Sequence, residues 1–407
     1  MIWNLSIYST YDLFKRSVML TAPREIIFEI NSVYRMHEYL RGLGVDQGYN
    51  IAIIMDPVIK SHENIRRMIK NLEENKYSVE ISTDIEYEPT ISTAERLVEF
   101  VRRIKPRAVI GIGGGSTLDL AKVTTVGLDN IDKSVRDFIG VEKIPKRITP
   151  LILTPTTAGT GSEVSRFAIL SENGKKAISS RFIIPDIALV DPVLTYTMPP
   201  RTTAGSGLDA LSHAVEAMIS LRASPFSDLL SLQSIEWIFR YLLRAYYNGK
   251  DEEARYFMSL AATTAGIPLT VSGMVLGHSI AQTFGPRYKI HHGVSCGMTL
   301  PYILEFYLPV MIDKYNIIAD VIGIKKDLDK YSRATEVIRS VWRLVEALDI
   351  PLSLKEIGVS KAELEKLAEA TLIEWPRPNS PIELTKERVL KVYQLMYEGT
   401  LGKVKIS

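Results

Sequence analysis

Alternating apolar and amphipathic segments in the first half of the chain predict strands separated by helices. Polar and apolar faces alternate with helical spacing over residues 61–75 and 92–104, and residues before 48 are expected to add edge strands and a helix at 32–43. Five short, largely apolar segments have the pattern of buried parallel strands: 49–55, 77–81, 108–112, 149–154 and 187–190. This order of elements predicts βαβ units around a parallel sheet.

The pattern changes at Pro199 and Pro200, which form the clearest boundary in the chain. Strand signals fade there, and helix-length segments rich in Ala and Leu continue to the end. The sequence therefore predicts two domains, an α/β nucleotide-binding domain over residues 1–197 and an all-helical domain over residues 198–407.

Composition narrows the class of protein. The 407 residues are 46% hydrophobic and 24% charged, as in an ordinary globular protein, and they carry a net charge of +2. No long basic run suggests nucleic-acid or membrane-surface binding, and no leader or membrane-spanning run is recognised. The single cysteine, Cys296, rules out an internal disulfide and suits a reducing compartment. We expect a cytoplasmic enzyme, and four Gln among many Lys, Arg and Glu hint at a thermophile.

One carboxylate and three imidazoles form a candidate metal-ligand set. Asp209 and His213 are four residues apart on a predicted helix, which places both side chains on one face. His278 and His292 follow later in a chain that has only six His. An Asp/His₃ set suits Fe²⁺, Zn²⁺, Ni²⁺ or Co²⁺ by ligand type. The alternative for Asp209 and His213 is a contact along the helix face without metal.

A glycine-rich segment at residues 111–122 joins a predicted strand to a predicted helix. Gly114 and Gly115 would let backbone N–H groups approach a pyrophosphate at the helix N-terminus. Ser116 can cap that helix, and Asp119 is the residue type that completes a capping box, so both are candidate cofactor-binding residues. The segment matches neither the usual dinucleotide fingerprint nor a Walker loop. Structural glycines in a turn are the alternative interpretation.

A second loop, at residues 154–163, also follows a predicted strand. It carries hydroxyls that could bind a ribose, an adenine or a phosphate: Thr156, Thr157, Thr160 and Ser162. The alternative is a helix-start loop capped by Thr160 or Ser162. Asp56 ends the strand 49–55, where an acid can accept hydrogen bonds from a ribose 2′-OH and repel a 2′-phosphate. A turn Asp before Pro57 explains it equally well.

These motifs occur in an order that resembles the iron-containing, group III, alcohol dehydrogenase family. The resemblance extends from about residue 49 to the final helix and rests on residues 111–122, 156–164, 185–192, 207–217, 277–278, 292–294 and 376–378. It implies a dehydroquinate synthase-like two-domain fold that binds NAD(P) and one Fe²⁺ or Zn²⁺. It also implies an alcohol dehydrogenase or aldehyde reductase acting on small alcohols or aldehydes, as a homodimer or higher homo-oligomer.

The resemblance assigns roles to individual residues. The family's metal-ligand positions correspond to Asp209, His213, His278 and His292, so Asp209 is implied as a ligand rather than a general base. The pyrophosphate loop, the nucleoside loop and a further cofactor contact correspond to Gly114, Gly115, Ser116, Thr156, Thr157, Thr160, Ser162, Val164 and Lys175. Asp56 stands where NAD-preferring members carry Asp, so NAD is expected rather than NADP.

One departure from the family pattern affects the expected chemistry. Four residues after His278, many members carry a second His that is proposed to relay protons, and this chain has Gln282. An amide can orient a water or a substrate hydroxyl, but it cannot act as an acid or base. We expect the proton to leave through water and the cofactor ribose.

Three other functions are compatible with parts of the pattern. A glycerol or polyol dehydrogenase would share the two-domain plan. A dehydroquinate synthase-type enzyme would need several basic residues near the metal, and the ligand segments offer little beyond Arg287 and Lys289. A nucleotide-binding scaffold with a dead site would not need the intact ligand set.

Overall fold

A computed structural model describes residues 18–86, 88–172 and 174–405. The chain divides into two compact units. Thr21–Met198 forms the first unit, and the residues from Pro199 onward, with residues 18–20, form the second. The division falls at the consecutive prolines, because the first helix of the second unit begins at Pro200.

The first unit has a six-stranded, all-parallel sheet with the strand order β1-β9-β6-β4-β2-β3. The strands among the described residues are β1 (Glu25–Phe28), β2 (Asn50–Met55), β3 (Ser78–Ser82), β4 (Ala108–Gly113), β5 (Gly140–Val141), β6 (Leu151–Pro155), β7 (Phe167–Ser171), β8 (Lys175–Ser179) and β9 (Ile187–Val190). The helices of this unit are α1 (Met36–Gly42), α2 (Glu63–Glu74), α3 (Ile91–Ile104) and α4 (Gly115–Asp129).

Both faces of the sheet are buried, which explains the continuous apolar runs in its strands. Ala52 and Ile54 of β2 belong to a core formed with α3 and α4. Their neighbours Ile51, Ile53 and Met55 belong to a second core formed with α1 and α2. Alternate side chains of one strand therefore pack against helices on opposite faces, giving a three-layer arrangement.

The strand order reverses at β2 and β4, which leaves a crevice at their carboxyl ends. From β2 the chain moves outward to β3, then returns to place β4 on the other side of β2, with β6 beyond it. Asp56 N–H donates to the Ile112 carbonyl at 2.9 Å, and Thr156 N–H donates to the Gly113 carbonyl at 3.0 Å. Such a switch point is where open α/β sheets bind ligands.

A small second sheet was not predicted from the sequence. Strands β7 and β8 form an antiparallel hairpin, and the short β5 pairs with β8 in parallel. Their side chains are only partly buried on one face, so their apolar signal is weaker than that of the central strands.

The second unit is helical throughout its described residues, apart from turns and short 3₁₀ segments. Helix α5 is buried from Thr203 to Ile219 and packs against α6, α7 and α9. The helices are α5 (Pro200–Ile219), α6 (Pro225–Tyr247), α7 (Glu252–Ser272), α8 (Leu276–Arg287), α9 (His292–Val321), α10 (Lys330–Ala347), α11 (Leu364–Glu374) and α12 (Lys386–Glu398). An α/β domain with a parallel sheet followed by a helical domain is the fold class that the sequence predicted, and that prediction is confirmed.

Helix α9 is long and apolar enough to cross a membrane by length and composition. Its most apolar window is 78% buried within the structure, as in the central helix of a folded domain. The bent pair α7 and α8 passes the same test only when both helices are counted together.

Candidate metal centre and nucleotide loops

Helix α5 supplies two of the four expected ligands. Asp209 and His213 are one turn apart on it and are 3% and 4% exposed. Asp209 Oδ1 lies 3.7 Å from His213 Nε2. The spacing of four residues therefore does place both groups on one buried face, as expected.

Helix α8 supplies His278 near its N-terminus, where Glu216 of α5 fixes its orientation. His278 Nδ1 lies 2.6 Å from Glu216 Oε1. Glu216 also accepts the backbone N–H groups of Val275 at 2.9 Å and His278 at 3.2 Å. Because a carboxylate only accepts, Nδ1 carries a proton, and Nε2 is the nitrogen that faces the site. This carboxylate–imidazole pairing is typical of metal-binding His.

Helix α9 begins with His292, and a glycine contact brings it against α5. A Cβ on Gly293 would lie 2.1 Å from the Gly205 carbonyl oxygen, so the two backbones touch where only glycine fits. His292 Nε2 lies 3.6 Å from Asp209 Oδ1, and its side chain is 30% exposed, the most of the four ligands.

Asp209 Oδ1 is separated from each of the three imidazole nitrogens by the distance expected between two ligands of one ion. His278 Nε2 is also 3.6 Å from Asp209 Oδ1. Ligands about 2.1 Å from a tetrahedral ion are separated by about 3.4 Å, whereas hydrogen bonds are shorter. Asp209 Oδ1 is buried and has no hydrogen-bond partner among the described residues, although such an orphan is normally costly. The residues therefore fit a divalent metal.

Charges around Asp209 keep it ionised. Burial alone would raise the pKa of this carboxyl, but His213, His292 and His278 hold the pKa well below its usual range. Burial would lower the pKa of His278, but the carboxylates of Glu216 and Asp209 raise this pKa well above its ordinary value. The anionic oxygen is thus a ready metal ligand, and a cation there would replace the imidazole protons as its partner.

Two residues of this site were missed in the sequence analysis. Cys296 Sγ lies 3.7 Å from Nε2 of both His278 and His292. Burial raises the pKa of its thiol to about 12, although His278 opposes that effect. The spacing of four residues from His292 to Cys296 was visible in the sequence, whereas the contact of Glu216 with His278 depends on tertiary packing.

Gln282 lies one turn after His278 on α8 and is held by Arg377. Arg377 Nη2 donates to Gln282 Oε1 at 3.3 Å, and Arg377 Nε donates to Ser279 Oγ at 2.8 Å. With its oxygen occupied by Arg377, the Gln282 amide presents N–H groups as donors.

The glycine-rich loop has the form of a phosphate cradle. Gly114 is the N-cap of α4 and has no side chain to cap it. A Cβ on Gly115 would lie 2.8 Å from Thr160 Cγ2, and one on Gly114 would lie 3.4 Å from Thr157 Cγ2. The two predicted loops are thus packed together at the start of α4, and at Gly115 they leave no space for a Cβ. The predicted capping role of Ser116 is wrong, because Ser116 is already inside the helix.

Asp119 and Ser162 bind each other instead of facing outward. Ser162 Oγ donates to Asp119 Oδ1 at 2.6 Å, and Asp119 Oδ2 accepts the Ile169 N–H at 2.9 Å. The fully buried Lys122 donates to Ser162 Oγ at 2.8 Å. The predicted capping-box role of Asp119 is therefore wrong. The hydrogen bond between Asp119 and Ser162 joins helix α4 to the second loop, and the cofactor contacts expected of these two residues stay predictions.

The remaining expected cofactor residues lie in the same unit. Asp56 follows β2 and caps the 3₁₀ turn Pro57–Ser61 by accepting the Val58 N–H at 2.9 Å, which uses one carboxylate oxygen. Thr156 and Thr157 follow β6, next to Gly114. Val164 is fully buried, and Lys175 begins β8 with its Nζ 3.8 Å from Glu88.

Two family models match almost the whole chain. Residues 23–192 match the model described as iron-containing alcohol dehydrogenase, and residues 203–397 match the one described as Fe-containing alcohol dehydrogenase family, C-terminal. Together they span both units.

Two named proteins and one solved structure are similar to this chain over most of their length. Long-chain-alcohol dehydrogenase 1 of Geobacillus thermodenitrificans is 35% identical over 86% of this chain and 90% of its own. An NADPH-dependent butanol dehydrogenase of Clostridium saccharobutylicum is 28% identical over 93% of this chain and 98% of its own length. The crystal structure of a 1,3-propanediol oxidoreductase superposes with a TM-score of 0.90 at 26% identity, over 94% of this chain and all of the other.

Proposed function

This chain belongs to the iron-containing alcohol dehydrogenase family, and from that premise we propose that it oxidises small alcohols with NAD⁺ at a metal centre formed by Asp209, His213, His278 and His292. The balanced reaction converts an alcohol and NAD⁺ into an aldehyde, NADH and one proton, and it also runs in reverse. NAD(P)-linked interconversion of alcohols and aldehydes is the activity of the family.

The orphaned Asp209 oxygen is the single observation that supports this proposal most strongly. A buried carboxylate oxygen without a hydrogen bond, facing three imidazole nitrogens at 3.6–3.7 Å, is poorly stabilised unless a cation lies among them. A divalent metal held there would supply Lewis acidity to the oxygen of the alcohol or aldehyde. We propose Fe²⁺, with Zn²⁺ as the alternative.

The other residues around the metal centre have separate proposed roles in catalysis. Glu216 keeps the Nε2 of His278 directed into the site, and the anionic Asp209 offsets the charge of the ion. Gln282 is proposed to orient the substrate hydroxyl or a water through its amide N–H groups, which Arg377 leaves available. Since no amide titrates, the proton is proposed to leave through water and the cofactor ribose.

The α/β unit is proposed to hold the cofactor, in line with the domain limits 1–197 and 198–407. The N-terminus of α4, with Gly114, Gly115 and Ser116, would bind the pyrophosphate. The nucleoside contacts are assigned to Thr156, Thr157, Thr160, Val164 and Lys175. Asp119 and Ser162 are proposed to hold the nucleoside loop in position through their hydrogen bond. Asp56 favours NAD over NADP by charge, although the butanol dehydrogenase relative is described as NADPH-dependent.

Replacement of His278 tests the metal role of the helical unit. His278→Ala should abolish bound metal and alcohol-dependent NADH production, and it should leave NAD affinity unchanged. His37→Ala, on α1, is the matched control and should retain both metal and turnover. Full activity and full metal content in His278→Ala would refute the proposed centre.

A further inference from the structure

Arg377 places a cation next to the residue that is proposed to orient the substrate. It lies between two prolines in the segment that joins α11 to α12, and it is half-buried. Its Nε donates to Ser279 Oγ at 2.8 Å, and its Nη2 donates to Gln282 Oε1 at 3.3 Å. Ser279 and Gln282 are one and four residues after His278 on α8. The guanidinium therefore lies along the helix that carries a proposed metal ligand.

No carboxylate forms an ion pair with Arg377 within the part of the chain that the structure describes. The acid whose charge acts on the guanidinium is Glu216, and that carboxylate is already bound by the backbone and the imidazole of His278. Burial lowers the pKa of Arg377 from its ordinary value, although Glu216 opposes the effect, and the side chain stays charged. A cation that has lost part of its water and gained no counterion is poorly stabilised. Its surroundings thus favour the arrival of an anion.

The guanidinium is held in place and keeps donors available. Its Cζ lies 6.0 Å from the centre of the Trp375 ring, and Ser279, which accepts from Arg377, donates to the Trp375 carbonyl at 2.8 Å. Two of the five N–H groups are used, and the other three form no hydrogen bond to a described residue. An N–H thus remains on each terminal nitrogen, and such a pair matches the two oxygens of a carboxylate.

We propose that Arg377 binds a carboxylate of the substrate, so that the chain prefers short hydroxy acids and the corresponding aldehyde acids to neutral alcohols and aldehydes. This inference rests on the proposed function, since Gln282 would orient the reacting hydroxyl while Arg377 holds the other end of the same molecule. Because these two side chains are hydrogen-bonded to each other, only a few carbon atoms can separate the hydroxyl from the carboxylate. The hydroxy acid and NAD⁺ give the aldehyde acid, NADH and one proton.

Pairs of substrates that differ in charge test the anion site in the wild type. The metal-loaded enzyme is assayed for NADH production with 3-hydroxypropanoate and 4-hydroxybutanoate, and with the neutral amide of each acid. In at least one pair, kcat/KM should be at least tenfold higher for the acid than for the amide, because a charge-assisted pair forms only with the carboxylate.

Three variants test whether Arg377 causes the preference. Arg377→Gln should lower the acid-to-amide ratio of kcat/KM at least tenfold, and Arg377→Lys should retain part of it, because an ammonium keeps the charge without the two parallel donors. Arg287→Gln is the matched control: it removes a guanidinium from the end of the same helix, where Glu374 neutralises it, and should leave the ratio unchanged. The ratio is the readout because a displacement of Gln282 would affect acid and amide alike.

The outcomes separate this inference from the proposed function. A wild-type kcat/KM that is no higher for the acid than for the amide in both pairs, or an unchanged ratio in Arg377→Gln, would overturn the anion site. Turnover of 1-butanol would then leave the proposed function standing. No NADH from 1-butanol or from any of the other substrates would overturn the proposed function as well.

Discussion

Glu216 shows how a residue outside the ligand set can control it. Its carboxylate is buried and accepts three donors: the backbone N–H groups of the N-cap Val275 and of His278 at the start of α8, and the imidazole of His278. Gly277 allows this approach, since a Cβ there would lie 2.5 Å from Glu216 Oε1. The carboxylate thereby fixes both the tautomer of His278 and the start of the helix that carries it.

Glu216→Gln should weaken metal binding without unfolding the chain. Loss of the charged partner of His278 is expected to raise the Kd for Zn²⁺ about 10- to 100-fold, as measured by competition with a chelator. Glu305→Gln is the matched control, because Glu305 is another buried carboxylate that accepts three backbone N–H groups, those of Gly402, Lys403 and Val404. An unchanged Kd in Glu216→Gln would show that the carboxylate has no role in metal binding.

Asp56 allows a test of cofactor preference. Its carboxylate ends β2 beside the glycine-rich loop, where a negative charge would repel a 2′-phosphate. Asp56→Ala should lower the ratio of kcat/KM for NAD to that for NADP at least tenfold. Asp46→Ala, an exposed acid of the same unit, should leave the ratio unchanged. If the Asp56 variant kept the wild-type ratio, the carboxylate would have only its capping role at Pro57–Ser61.

Sequence reasoning reaches some residues of the site and misses others for physical reasons. Spacing along a helix relates Asp209 to His213, and the same rule relates His292 to Cys296, where it was not applied. The contacts of Glu216 with His278 and of Lys122 with Ser162 join residues 62 and 40 positions apart. Only the packed structure brings such residues together.

At the scale of elements, glycines decide how closely the ligand helices approach. The Gly205–Gly293 contact joins α5 to α9, and Gly297 faces Leu208 farther along the same pair, where a Cβ would lie 2.4 Å from its side chain. The ligands Asp209 and His292 lie within this close contact. Their separation is therefore set by backbone contact rather than by flexible side chains.

Gly293→Ala should move α9 away from α5 and disrupt the ligand geometry. A Cβ 2.1 Å from a backbone carbonyl cannot be accommodated by rotation of a side chain, so the helices must separate. We expect at least a tenfold loss of Zn²⁺ affinity and a lower Tm in thermal unfolding. Gly42→Ala is the control, since nothing lies within 4 Å of the added Cβ. Wild-type zinc affinity in Gly293→Ala would contradict the importance of the contact.

Strands were predicted best in the central sheet, where both faces are buried and the strands are continuous apolar runs. The five predicted strands correspond to β2, β3, β4, β6 and β9, all in the central sheet. The three strands of the small sheet were not predicted, because β7 and β8 are only partly buried and β5 has only two residues. Loop chemistry was harder still, because the hydroxyl of Ser162 has equally plausible partners in a ligand and in Asp119.

For the whole molecule, the α/β unit followed by a helical unit matches the family over nearly the full chain. The switch point of the sheet explains the placement of the loops after β2, β4 and β6, and the helical unit carries all the proposed metal ligands. A homo-oligomer in the cytoplasm of a thermophile stays a prediction from composition and resemblance.

The dependence of turnover on metal is the most direct test of the account. Protein freed of metal by a chelator is titrated with Fe²⁺ without oxygen, or with Zn²⁺, while NADH absorbance is followed with a short alcohol and NAD⁺. The proposed metal centre requires that the metal-free protein produce no NADH and that the rate rise to a plateau at one ion per chain. NADH production at the full rate by the metal-free protein would contradict it.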